Sequence, residues 1–312
     1  MLAWSWRGWT KTWAFLAVPA IALFELGAHV VQVGGAIGDD SWARAREETR
    51  ALVQPGDLLV FAPRWTDPIG RMVFGDELAT LEREAWADVS RFPRAIEVSI
   101  RGEHEPELAG WRRVAEKKVD GITLATLENP SYRPTLTDLV NLVHPPASEA
   151  FVRSLDNAGV HPCTWVHGSP QSGNLGFGPS VPGDKFACPG TFAGVSVVAD
   201  LDYRPRRCIY APPAGGGQAL RLVFHGVSFG ETLHGHHGLY VEAERDRHGP
   251  SVRLVFSVGD SLLGYANHAD GDGWKSFDLS TAEFAGKTAD LTVEITSANA
   301  NRRMYCFEAI TR

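Results

Sequence analysis

The sequence predicts an α+β multidomain chain: an N-terminal membrane helix, a small α/β domain and a C-terminal antiparallel β-sandwich of jelly-roll type. Three observations predict it. Short runs between Gly194 and Ile310, such as Leu220-Arg-Leu-Val-Phe224 and Leu291-Thr-Val-Glu-Ile295, place apolar residues at every second position. Successive side chains of a strand point to opposite faces, so each run has one buried and one wet face. Helical and strand-like patterns alternate from Ser41 to about Val143, the mark of an α/β layer. Trp13 to Ile37 is mostly apolar. The chain divides into residues 1–38, 39–145, a Gly/Pro-rich connecting segment 146–193, and 194–312.

The first segment reads as an address. Arg7 and Lys11 precede the apolar run and Asp39 and Asp40 come after it. That asymmetry places the N-terminus in the cytoplasm and the bulk of the chain in the periplasm, held by an uncleaved single-pass anchor in the inner membrane. Pro19, Glu25 and His29 interrupt the run, which leaves secretion after signal cleavage as the alternative. An interfacial helix, with Trp4, Trp6, Trp9 and Trp13 at the membrane surface, is a third reading.

In the second segment, Ser41 is a candidate N-cap. Trp42, Ala45, Thr49, Leu52 and Val53 recur at helical spacing until Pro55-Gly56 stops the run. Asp57 to Pro63 is a continuously apolar strand of the kind buried on both faces. Leu78 to Val89 predicts a helix, and Ala95–Ile100 and Gly121–Leu127 predict two further strands, giving a partly parallel sheet. The run from Trp42 through Pro55-Gly-Asp57 to Pro63, after an apolar helix, resembles the extracytoplasmic C-terminal region of GT-C type membrane glycosyltransferases, the group of protein mannosyltransferases and lipid-A aminoarabinose transferases. The strands at Arg94-Ala-Ile-Glu-Val-Ser and Gly121-Ile-Thr-Leu are similar in kind. The catalytic acid of that family lies in a membrane loop with no counterpart here. The resemblance therefore implies a periplasmic module without the transferase chemistry.

The third and fourth segments carry all four cysteines, Cys163, Cys188, Cys208 and Cys306, and no C-x-x-C pair. An even number in an extracytoplasmic chain fits two disulfides. The preferred pairing is Cys163–Cys188, closing a loop, and Cys208–Cys306, tying an early strand to the last one. The strands expected are Leu220–Phe224, Leu239–Ala243, Val252–Phe256, Trp274–Phe277, Leu291–Ile295 and Tyr305–Ala309. This part resembles galactose-binding-like and carbohydrate-binding modules, which implies non-catalytic recognition of a glycan or of a partner protein in the cell envelope; the alternatives are a hydrolase using Ser228 or a His-rich metal site, and a purely structural subunit of a membrane complex. A net charge of −7 over 312 residues gives no basic footprint and argues against nucleic acid as a partner.

Several constellations are candidates for chemistry. Gly226-Val-Ser-Phe-Gly230 matches the nucleophile elbow of hydrolases, which needs a strand, a sharp turn and then a helix to expose Ser228. The stretch after Gly230 is Gly-broken, so a turn in a β-domain is the preferred reading. His234, His236 and His237 are candidate zinc ligands, although a shared Gly-rich loop favours polar contacts, including contacts to a ligand. Asp270 and Asp272 offer oxygens to calcium, but Asp-Gly is also a favoured hairpin turn. No cofactor is otherwise implied. Trp274 is a candidate platform for a sugar ring, because an indole stacks on apolar C–H faces and keeps a polar edge. The ligand-binding set is therefore Trp274, His236, His237, Asp270 and Asp272. Asp76-Glu77 and Glu103/Glu105 are carboxylate pairs that read as solvated loop charges. Gly173–Gly178 reads as a connecting loop rather than a nucleotide loop.

Overall fold

The structure, a computed structural model, describes residues 9–34, 36–74, 88–155, 159–171 and 179–312. Most of the expected helix Leu78–Val89, the pair Asp76-Glu77 and the loop Gly173–Gly178 lie outside the described residues.

Helix α1 (Trp9–Gly34) carries Pro19 inside it. Its side chains are described over 17–31, where Val18, Ile21, Phe24 and Val31 are all exposed. Among the described residues, no helix is long and apolar enough to cross a membrane.

The α/β layer begins with α2 (Asp39–Leu52), whose N-cap is Gly38 rather than Ser41. The Ser41 and Trp42 amides both donate to the Gly38 carbonyl, so the helix starts three residues early with Asp39 and Asp40 in its first turn. Negative charge there suits the helix dipole. Strand β1 (Leu58–Ala62) leads into α3 (Asp67–Phe74). Next come β2 (Arg94–Ile100), β3 (Arg112–Val119) and β4 (Ile122–Glu128), in the spatial order β1-β2-β4-β3. β1 and β2 are parallel and the other pairs antiparallel. β1 is buried on both faces, as its continuous apolar run requires. Leu59 and Phe61 pack with Trp42 and Ile96, while Leu58 packs with Phe92, Ala95 and Leu108 on the other side. β3 is exposed along almost its whole length. Its Arg-Arg-Val-Ala-Glu-Lys-Lys run has no alternation to betray a strand, and it forms as the outer edge of a sheet already built.

The remainder is two antiparallel sheets packed face to face. One has the order β15-β14-β17-β12-β6-β7, from β6 (Ser148–Ser154), β7 (Val160–Pro162), β12 (Gln218–Ser228), β14 (Val252–Val258), β15 (Ser261–His268) and β17 (Thr288–Ser297). The other has the order β16-β13-β18-β11-β10-β9-β8. It comprises β8 (Thr164–Val166), β9 (Lys185–Cys188), β10 (Thr191–Ala199), β11 (Pro205–Tyr210), β13 (Thr232–Leu239), β16 (Lys275–Ser280) and β18 (Tyr305–Thr311). A short β5 (Thr137–Asp138) adds to β18. The core between the sheets is the alternating set of the sequence: Leu220, Leu222 and Phe224 meet Leu254 and Phe256, Val293 and Ile295, and Phe307.

Two expectations change in this part. β6 to β9 lie within 146–193, so that segment supplies strands to both sheets as well as connections. Leu239–Ala243 is not a strand: β13 ends at Leu239 and a helical turn, α4 (Val241–Asp246), succeeds it. The buried Glu244 carboxylate drives this turn, accepting from the Leu239 amide at 3.1 Å and the Gly271 amide at 2.7 Å.

Both expected disulfides form, Cys163–Cys188 and Cys208–Cys306. Two disulfides fit an oxidising, extracytoplasmic compartment.

The α/β layer docks onto the outer face of the second sheet through paired charges. Arg91 donates to Asp138 at 2.6 Å, and Arg312 to Asp88 at 3.0 Å and to Ser90 Oγ at 2.7 Å.

Candidate functional site

β1 and β2 are parallel, so the chain leaves both at the same end of the small sheet. In α/β layers ligands settle in the crevice outside such carboxyl ends. Here Arg64 to Pro68 come after β1, and Glu105 to Leu108 come after β2. The tip of the β10–β11 hairpin, Asp202 to Arg204, reaches over from the sandwich. These three segments enclose a cleft of about 540 Å³.

Its floor is a chain of ion pairs. Arg64 donates to Glu105 Oε1 through Nη2 at 2.6 Å and through Nε at 3.0 Å. The same Nη2 reaches Glu107 Oε1 at 2.9 Å, and Arg204 Nη1 reaches that oxygen at 2.6 Å. Glu105 is itself anchored, its amide donating at 2.7 Å to the buried Glu97. The Glu105 hydrogen bond raises the Arg64 pKa above its ordinary value. Burial pulls the Glu107 carboxyl upward, but the hydrogen bond from Arg204 and the charges of Arg204, Arg64 and Arg206 outweigh it, so its pKa ends below the usual value.

Two aromatic rings stand at the mouth. Trp65 is 56% exposed and Tyr203 is 61% exposed. Arg101 lies over one ring, 5.4 Å from its centroid, and Arg245 over the other at 4.6 Å. Tyr203 has a φ of 60°, left-handed backbone that non-glycine residues seldom adopt. Asp200 imposes it: its Oδ1 accepts from the Asp202 and Arg204 amides at 3.0 and 2.9 Å, while its Oδ2 accepts from Arg206 Nε at 2.8 Å. The hairpin tip is thus pinned and the phenol turned outward.

Such a lining suits a polyhydroxylated ligand. Rings stack on C–H faces, and planar guanidinium and carboxylate groups offer paired donors and acceptors to vicinal hydroxyls. Among the described residues no Ser, Cys, His or Lys lines the cleft, and both Glu105 and Glu107 are held by arginine.

The residues singled out from sequence lie elsewhere. Ser228 ends β12, its amide donating to Thr137 Oγ1 at 3.1 Å and its carbonyl accepting from Thr311 Oγ1 at 2.6 Å. A strand, β13, begins at Thr232 instead of the helix a nucleophile elbow requires. The three histidines sit on β13 and not in a loop, so they alternate. His234 and His236 share the outer face with ring centroids 5.1 Å apart, and their Nδ1 atoms lie 2.8 Å from Asp278 and Glu308 respectively. His237 points into the core, 2.8 Å from Tyr305 Oη, where burial, then the neighbouring His268, lowers its pKa to about 3. Among the described residues no group of three or more His, Cys, Asp and Glu is arranged to hold a metal ion.

Asp270 pairs with the buried Arg303 and accepts from the Gly249 amide at 2.9 Å. Asp272 caps the turn at the Ala269 amide and pairs with Lys275 at 2.9 Å. Both carboxylates thus hold the turn together. Trp274 packs half-buried against Val198, Cys208 and Tyr240, with Arg206 5.9 Å from its ring centroid. Glu105 has left the solvated-loop role expected of it and is buried. Arg64, Trp65, Glu107, Tyr203 and Arg204 were not marked by the sequence; the signal that could have found them was a Trp soon after a buried strand and the turn-forming Asp200-Leu-Asp-Tyr-Arg run.

No protein-family model matches the chain, and no curated protein sequence matches it. Among solved structures it is similar to the C-terminal CBM6 module of LamC, a laminarinase of Zobellia galactanivorans. Identity is 14% over 31% of this chain and 82% of that one, with a TM-score of 0.22. It is similar to the CBM51-2 and INT domains of ZmpB from Clostridium perfringens, in complex with GlcNAc. Identity there is 8% over 64% of this chain and 40% of that one, with a TM-score of 0.27. TmCBM27, a mannan-recognising module, matches at 11% identity over 39% of this chain and 82% of that one, with a TM-score of 0.25. At identities and scores this low, these likenesses carry no argument about what this chain binds. They do not bear on the glycosyltransferase tail that residues 38–145 resemble.

Proposed function

We propose that this chain is a non-catalytic carbohydrate-recognition protein of the cell envelope, and that the sugar lies in the cleft between the α/β layer and the β10–β11 hairpin. The observation that carries the reading is the pair of exposed rings, Trp65 and Tyr203, flanking the Arg64–Glu107–Arg204 chain. Attachment to a membrane through residues 9–34, with the bulk of the chain on the extracytoplasmic side, completes it, supported by the apolar surface of α1 and the two disulfides.

The test is a panel of neutral and charged oligosaccharides screened against the full chain by thermal unfolding. A ligand that binds only the native state raises the midpoint by mass action. The expected result is a glycan-specific rise that Trp65→Ala abolishes. No rise with any glycan, or a rise indifferent to Trp65→Ala, overturns the reading. Flotation with lipid vesicles tests the attachment separately, with the chain expected to float and a chain lacking residues 9–34 expected to stay at the bottom.

A further inference from the structure

We infer that the chain has a second ligand pocket, at the open end of the sandwich, for a small amphipathic anion: an apolar ring or chain bearing one carboxylate. A cavity of about 790 Å³ lies there, outside the cleft already described.

The register of β10 and β11 explains why it exists. Ile209 is fully buried in the core, but its partner Val195 and the next same-face pair, Val197 with Arg207, are only half-buried. The inner face of the sheet therefore runs out from under its partner sheet. Half-buried Val195, Val197 and Trp165 give this space an apolar floor, with the buried Val140 and Val143 beneath it. Apolar surface left open to water is unfavourable, and an apolar floor with a few polar groups at its rim is the usual make-up of a small-molecule site.

The wall is constructed rather than incidental. The Cys163–Cys188 disulfide and the β8–β9 pairing fix the segment that carries Trp165 and Asp184. Gly168 and Gly183 cross so closely that a Cβ on Gly183 would lie 2.0 Å from the Gly168 carbonyl oxygen. Trp165 is held edge-on to Phe186, centroids 4.8 Å apart, and donates to His167 Nε2 at 3.2 Å.

Charge is distributed unevenly around the mouth, and this selects the ligand. Arg207 rises from the floor as the cross-strand neighbour of Val197, its Nη2 donating to Asn141 Oδ1 at 3.1 Å, and His144 stands beside Asn141. The one carboxylate of the described lining, Asp184, lies on the disulfide-tied wall, where it accepts from the Gly168 amide at 3.3 Å and faces His167 Nδ1 at 3.3 Å. The Asn141 side chain is already engaged, its Nδ2 donating to Asp138 at 3.4 Å, so a ligand lying on the valines meets the Arg207 guanidinium at one end, a group that pairs with a carboxylate.

Three probes of one shape and different charge test this: 2-naphthoate, 2-naphthamide and 2-naphthamidine, read by saturation-transfer NMR and calorimetry on the full chain. Naphthoate is expected to bind at least fivefold more tightly than the amide, and the amidine least. Arg207→Gln should erase the preference of acid over amide while leaving amide binding within twofold. Val197→Trp, which fills the floor, should abolish binding of all three; Val195→Phe, at a half-buried position of the same floor, replaces it if that variant fails to fold. No transfer to naphthoate, a preference for the amidine, or binding that survives filling of the cavity would show a water-filled gap and overturn the assignment.

Discussion

Arg204 Nη1 donates to Glu107 Oε1 at 2.6 Å, joining the hairpin tip of the sandwich to the turn after the second strand of the α/β layer. The two side chains are about a third exposed, so solvent screens the pair, and Arg64 shares the same oxygen. Glu107→Gln leaves two guanidiniums facing each other without the charge between them. We expect a loss of about 1 kcal/mol, after discounting for exposure. A lowered urea midpoint at unchanged slope checks it.

Tyr203→Gly separates backbone from ring. Glycine adopts the φ of 60° at no steric cost, so the hairpin tip should persist, with stability within about 1 kcal/mol of the parent chain. Glycan affinity should fall roughly tenfold or more, the worth of one stacking ring. Titration of the best ligand from the panel, alongside a melting curve, measures both.

Asp270 sits opposite the almost fully buried Arg303, and removing its charge strands that guanidinium in the interior. Asp270→Asn is expected to cost about 3–5 kcal/mol. Asp272→Asn, at a more exposed pair with Lys275, should cost about 1 kcal/mol or less. Equal effects in chemical unfolding would contradict this division.

The two disulfides should differ in worth. Cys208 and Cys306 are 98 positions apart and Cys163 and Cys188 are 25 apart. The chain-entropy model then gives about 4.7 and about 3.5 kcal/mol respectively. Paired Cys→Ala variants, unfolded in urea, should keep that order.

His237 makes the fold acid-sensitive. Its pKa falls from 6.5 in the unfolded chain to about 3 in the native state, because burial disfavours the charged imidazolium. Below pH 6.5 the unfolded chain binds the extra proton, so stability is intact above 6.5 and is lost progressively down to pH 3, by at most about 5 kcal/mol. Asp88 and Glu107, both with lowered pKa values, add losses that begin in the usual carboxylate range, where the unfolded chain protonates, and grow as pH falls further. His237→Phe should flatten the decline between pH 6.5 and 5 in unfolding measured across pH; an unchanged slope there contradicts the assignment.

The alternation of Leu220, Leu222 and Phe224 and the doubly buried β1 were legible because periodicity is a local consequence of strand geometry. The cysteine pairing was legible too, since only four were present and one pairing closed a loop while the other joined two strands. Strand β3 was not, as an edge strand with both faces wet has no pattern to read. The histidines misled for a related reason: read as a loop they cluster, but on β13 the twofold period sends His234 and His236 outward and His237 inward. The cleft was the least visible feature. Arg64, Glu107 and Arg204 acquire their meaning only when the parallel pairing of β1 and β2 brings two loops to one edge and the β10–β11 hairpin arrives from a distant part of the chain. Local pattern thus determined which segments are strands and which residues are core. Which polar side chains meet was decided by sheet register and domain docking, long-range contacts that leave no periodic trace in the sequence.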